Sequence, residues 1–187
     1  TLSEGKLDGD IDAATCDAEP VAVALWSNTQ ILWYKKSVAE KAGLDMSKPV
    51  TWEQVIAAAE KTRTTVSVQA KRYEGYSVWI NSLIVGAGGA IVEDAEAGKD
   101  AKITIDTPEG KAAAEVVSML GKSDAAPPAL SNADEGGSVA SFSAADGGFL
   151  VNWTYVYSDP NVAPFKDDLA WVRYPRTTAD DESRPPI

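Results

Sequence analysis

Val21-Ala22-Val23-Ala24-Leu25-Trp26-Ser27-Asn28-Thr29-Gln30-Ile31-Leu32-Trp33-Tyr34 is almost continuous in apolar character. Such a run predicts a strand covered on both faces, as in a sheet with helices on either side. A second stretch, Gly147-Gly148-Phe149-Leu150-Val151-Asn152-Trp153-Thr154-Tyr155, reads the same way over 148–153. Each stretch joins an apolar strand to an aromatic and an amide. An indole offers a flat face, and an amide offers both a donor and an acceptor. Those groups suit a polyhydroxylated ring, whose C–H face stacks while its hydroxyls need paired partners. The two stretches together point to a sugar-binding cleft.

Between them, helices and strands alternate. Ser37 with Glu40 reads as a capping box and Gly43 as a C-cap, giving a short helix over about 38–42. Thr51 with Gln54 repeats the box, Val50 and Val55 take the staple positions, and Trp52, Val55, Ile56 and Ala59 share one face. Val66-Ser67-Val68 is a short strand. From Tyr73 a helix carries Tyr76, Trp79, Ile80, Leu83 and Ile84 at helical spacing and stops at Gly86-Ala87-Gly88-Gly89. Lys102-Ile103-Thr104-Ile105 alternates as a strand does. Thr107 caps the next helix, Pro108 takes its first position, and Ala113, Val116, Val117 and Leu120 face the core. A loop over 122–137, a short helix near 137–145 and a strand over 167–174 complete an α/β layered domain.

The chain has 187 residues, 44% of them hydrophobic, and a formal net charge of −11, which together suit one domain or one lobe and argue against nucleic acid as a partner. Histidine is absent, so Ser-His-Asp and Cys-His nucleophiles are excluded and transition-metal chemistry is weakened. No metal site or cofactor is expected. Cys16 is the only cysteine, so the chain forms no internal disulfide. No apolar run approaches the roughly 18 residues of a membrane span.

Several motifs have plainer readings. Gly86 to Gly89 follows a helix and lacks a Lys-Ser/Thr, so it is a helix end rather than a phosphate loop. Asp8, Asp10, Asp12 and Glu19 match calcium-loop positions, but Ala13 stands where glycine is needed. Asn152-Trp153-Thr154 fits the glycosylation pattern inside an apolar strand end, again a chance match. Trp33, Trp52, Trp79 and Trp171 read as core, whereas Trp153 stands at a strand end and serves either as core or as a ligand platform. Asn28 interrupts an apolar run, so its amide is either a local turn former or a ligand contact. Glu135 taken alone is an ordinary solvated carboxylate in a flexible loop.

The segments "LWSNTQILWYKKSVAEKAGL", "TWEQVIAAAEK", "YEGYSVWINSLIVGAGG", "KITIDTPEGKAAAEVVSML" and "FSAADGGFLVNWTYVYSDP" resemble, in order and spacing, the extracellular solute-binding proteins of carbohydrate ABC importers. Thr154 departs from the proline often found after Asn-Trp in that family. The resemblance implies a two-lobed fold in which this chain is most of the second lobe. Residues 1–20 would be a connector near the hinge, 21–175 the α/β lobe, and 176–187 a polar exit toward the second hinge. It also implies non-catalytic binding of a disaccharide, trehalose in particular. Asn28, Glu135, Trp153 and, more weakly, Tyr155 would be the contacts. The implied partners are importer permease subunits and a first lobe, with the whole protein lipid-anchored on the extracytoplasmic face. Two other classes stand beside this one: a glycoside-processing enzyme using Glu135, which needs a second carboxylate, and an interaction lobe that binds no small molecule.

Overall fold

Alternation in Gln30–Lys35 and Gly147–Trp153 sends successive side chains to opposite sides, and both sides are covered by helices. A computed structural model describes residues 11, 14–16, 19–23, 25–26 and 28–179. The central sheet has four strands: β1 (Gln30–Lys35), β2 (Thr65–Ser67), β3 (Gly147–Trp153) and β4 (Leu169–Val172). Their spatial order is β2-β3-β1-β4. β2 and β3 run parallel, whereas β1 is antiparallel to both β3 and β4. Five helices accompany them among the described residues: α1 (Lys36–Ala42), α2 (Trp52–Thr62), α3 (Glu74–Gly86), α4 (Pro108–Lys122) and α5 (Glu135–Ser143). The architecture is the expected α/β one, a central sheet flanked by helices.

One face of the sheet gives Leu32, Val66, Phe149 and Val151 to a core shared with Trp52, Val55 and Ile56 of α2, Trp79, Leu83 and Ile84 of α3, and Ala113, Val116 and Leu120 of α4. The other face packs Trp33 and Leu150 against Val139 and Phe142 of α5 and against Val156, Val162 and Leu169. Gly147 opens β3 because a Cβ there would run into the Phe142 carbonyl oxygen.

The local signals of α2 and α4 are met in full. Thr51 accepts from the Gln54 N–H at 3.2 Å while the Gln54 side chain accepts from the Thr51 N–H at 2.9 Å. Thr107 accepts from the Gly110 N–H, and Pro108 takes the first turn. Gly43 ends α1 at φ 74°, the left-handed conformation that glycine adopts freely. Thr51→Ala is expected to lower stability by about 1 kcal/mol, with Thr51→Ser retaining most of it. Urea unfolding measures this, and an unmoved midpoint would show that the box contributes nothing.

Other expectations are corrected. The run from Val21 to Tyr34 is not one buried strand. Pairing begins at Gln30, and Leu25 and Trp26 are 84% and 75% exposed. Ser37 caps nothing: α1 begins at Lys36, and Ser37 donates its hydroxyl to the Asp168 carboxylate at 2.6 Å. Lys102–Ile105 contributes only Lys102–Ile103 to a two-residue ribbon with Val92–Glu93 outside the central sheet. Trp171 is 53% exposed rather than core, because β4 is an edge strand. Its ring leans on Trp33 and Tyr157 at the rim. Glu135 lies in the first turn of α5, not in a flexible loop. Asp8, Asp10 and Asp12 lie outside the described residues. Apart from these corrections, Arg176 exchanges backbone hydrogen bonds with Val50 and Trp52, and Thr177 donates to the Leu83 carbonyl. Among the described residues no helix is long and apolar enough to cross a membrane.

Candidate functional site

The site forms where β3 ends. Asn152 is fully buried and points to the α5 side. Its Nδ2 donates to the Glu135 carbonyl at 3.1 Å and to Ser138 Oγ at 3.0 Å, and its Oδ1 accepts from the Trp153 N–H at 2.7 Å. Every polar atom of the amide is thus used to fix Trp153 and the start of α5. A buried amide so tied is a rigid brace. Sequence reading missed this role. The signal was an asparagine closing the apolar run Phe149-Leu150-Val151.

Trp153 alternates to the opposite side and lines an open pocket of about 320 Å³. Asn28, Thr29 and Gln30 enter from the approach to β1. Val78, Asn81, Ser82 and Val85 come from one stripe of α3, and Tyr174 from the segment after β4. Asn28 is exposed, so its amide is not the buried group that the apolar run implied. Its Oδ1 accepts from Thr154 Oγ1 at 3.2 Å, which joins the two quoted stretches directly. Burial pushes the Tyr174 phenol well up, with the Ser82 hydroxyl pulling the other way.

Glu135 and Tyr155 gather on the other side of the strand end, around Asn152. Asp134 caps α5 by accepting from the Gly137 N–H at 3.1 Å, and its other oxygen takes Lys71 Nζ at 2.9 Å. Glu135 follows in the first turn, where a negative charge is favoured by the helix dipole. Burial and then the Glu135 carboxylate push the phenol of Tyr73 far above its ordinary range, and the Tyr73 hydroxyl is buried without a well-formed hydrogen bond. Tyr155 is raised chiefly by burial, opposed by the Asn152 amide and assisted by Asp159, Glu135 and Asp134. The structure therefore brings Asn28 and Trp153 into one pocket and sets Glu135 with Tyr155 beside it, the strand end between them. Tyr73, Gln30, Asn81, Ser82 and Tyr174 were not singled out from sequence.

Chemically the arrangement offers amides, hydroxyls and one indole. Asp134, the acid adjoining Glu135, is occupied by Lys71 and the helix cap. Among the described residues no cluster of three or more His, Cys, Asp or Glu gathers to hold a metal ion.

Asp134 carries a pH prediction. The Lys71 ammonium, then the Gly137 N–H, hold its carboxyl below the usual aspartate range. A folded-state value depressed below the unfolded one adds stability above the unfolded value, and that stability is lost as pH falls through the folded value. The first turn of α5 is expected to keep its protection near neutrality and to loosen only in acid below the ordinary aspartate range. Gly137 amide exchange followed against pH checks this, and protection unchanged throughout that acid range would refute it.

Comparison with known proteins places this architecture. The profile of the bacterial extracellular solute-binding proteins matches residues 4–182. The sn-glycerol-3-phosphate-binding periplasmic protein UgpB of Agrobacterium fabrum is 31% identical over 87 residues, 44% of this chain and 20% of its own. A probable ABC transporter-binding protein of Deinococcus radiodurans is 25% identical over 158 residues, covering 77% of this chain and 35% of its own. Among solved structures, maltose-bound T. maritima MalE3 superposes with a TM-score of 0.77 at 24% identity, over 91% of this chain and 44% of that one. A Thermotoga lettingae solute-binding protein bound with α-D-tagatose gives 0.73 at 19% identity, over 98% and 48%. The chain thus spans less than half the length of these relatives. With a family profile running through nearly all of its residues and the fold shared, the chain belongs to the bacterial extracellular solute-binding proteins.

Proposed function

We propose that this chain forms one wall of a carbohydrate-binding cleft in a protein that delivers its ligand to an ABC importer without chemical change. The observation that carries the reading is the pocket at the end of β3, where the Trp153 indole stands among neutral amides and hydroxyls. Among the described residues no Lys or Arg lines it. That favours a neutral polyol or sugar over a phosphate ester, which calls for cationic donors. The ligand is a disaccharide, trehalose for preference. One ring stacks on Trp153 beside Asn28, while Glu135 and Tyr155 bond hydroxyls across the strand end. The trehalose-binding lipoprotein of mycobacteria is the member this reading most resembles.

On this reading residues 21–175 are the second of two lobes, with 1–20 and 176–187 running to the hinges. A first lobe closes over the ligand, permease subunits receive it, and a lipid anchor holds the whole protein on the extracytoplasmic face. Half a cleft leaves one sugar face in water, so the isolated lobe binds far more weakly than the whole protein.

The test is a tryptophan-fluorescence titration of the full-length protein and of this chain with trehalose, maltose and sn-glycerol 3-phosphate. A saturable change with trehalose in the full-length protein, nearly absent in this chain, is expected. Saturation by the phosphate ester alone, or no response to any of the three, would overturn the reading.

A further inference from the structure

Gln30 is the first residue of β1, stands opposite Trp153 in the sheet and lines the same pocket, yet is only 5% exposed. The orientation of its amide follows from a chain of partners. The Val151 carbonyl can only accept, so Gln69 presents its Nε2 there at 3.0 Å, and the same nitrogen donates to Ser138 Oγ at 3.2 Å. Gln69 Oε1 is then fixed toward Gln30. An amide oxygen can only accept, so Gln30 donates Nε2 to it at 2.6 Å. Ser138 is held in turn by Asn152 Nδ2 and donates its own hydroxyl to the Glu135 carbonyl at 2.9 Å. The consequence falls on Gln30 Oε1, which is buried and meets no donor among the described residues.

A buried acceptor left without a donor is costly, and because Gln30 lines the pocket a bound ligand is a source of the missing donor. We propose that Gln30 Oε1 accepts a hydrogen bond from one ligand hydroxyl and is a specificity-determining contact of this site. The proposal rests on the sugar reading given above. Because one Nε2 proton is held on Gln69 Oε1, the amide does not flip, and Oε1 stays the unpaired atom. The position therefore selects for an O–H and rejects an ether, a fluorine or a phosphate oxygen. Gln69, Ser138 and Asn152 act as positioning residues that lock this polarity and tie it to the strand end bearing Trp153.

The experiment is a double cycle on the full-length protein. Calorimetric titrations of wild type and Gln30→Met use trehalose and maltose, then the monodeoxy derivatives of whichever sugar binds. At one hydroxyl position, deoxygenation is expected to weaken wild type about tenfold or more. The same deoxygenation should change Gln30→Met by no more than about twofold, since the partner is already gone. Equal factors at every position would mean that Gln30 acts only through the fold, and would overturn the proposal. Binding of neither sugar by wild type would remove the sugar reading along with it, so the two failures are distinct. Should Gln30→Met not fold, a ligand-bound crystal structure decides. A sugar oxygen within about 3.2 Å of Gln30 Oε1 supports the assignment, and a water or no polar group there refutes it.

Discussion

Trp153→Ala is expected to cost the full-length protein about 2–4 kcal/mol of sugar affinity, a weakening of roughly 30- to 1000-fold in Kd. Among the described residues Trp153 is the one indole lining the pocket. Its side chain is half-buried, its backbone is held by Asn152 Oδ1, and its carbonyl accepts from Trp33 Nε1 at 3.2 Å. The backbone that carries the indole is thus already in place before binding, and an indole adds a large flat face with only two χ angles to order. Trp153→Phe keeps a smaller face and should recover most of the loss. Calorimetric titration is the right measurement, since the substitution removes a fluorophore. Unchanged affinity at unchanged thermal stability would reduce Trp153 to packing and remove the central support of the proposed cleft.

Trp52→Ala is expected to have the largest effect on stability, about 3–5 kcal/mol out of a total of roughly three times that. Trp52 is fully buried at the start of α2, 5.8 Å from the Trp79 ring and edge-on to Tyr174 at 5.7 Å. Deleting it leaves a large void between three elements and strips two ring contacts. Tyr174 also lines the pocket, so the damage reaches the site, and sugar affinity should fall by less than in Trp153→Ala. For a chain of this size the melting temperature should drop by roughly 6–20 °C. Calorimetry reads it directly, and a drop below about 3 °C would mean that the neighbouring rings collapse into the space.

What was legible in the sequence was local. Thr51 with Gln54, and Thr107 with Pro108, cap helices through groups within one turn, and the structure reproduces them. Trp52 and Trp79 lie on helical apolar stripes and are buried. What was not legible depends on where an element sits. Trp171 occupies a strand that reads as well paired as any other, and only the position of that strand at the sheet's rim exposes it. Leu25 and Trp26 continue an apolar run past the point where pairing partners exist. In the site, Asn28, Glu135, Trp153 and Tyr155 were chosen by chemistry and by resemblance, and they converge around one strand end. The hydrogen bonds of this network join residues up to 82 positions apart along the chain, and no spacing rule connects a glutamine at 30 to one at 69.

The pairing of β1 with β3 has a kinetic meaning. Trp33 and Trp153 are bonded across 120 positions of sequence, and the pocket exists only once those strands are side by side. Contacts of such separation close slowly, because the intervening chain loses its freedom before the pairing compensates. The helices, built from near neighbours, need not wait. In refolding of the full-length protein, helical signal is therefore expected to return ahead of the proposed sugar binding, and the ligand would become a clock for the final step. It recognises only the finished sheet and by mass action holds the chain there.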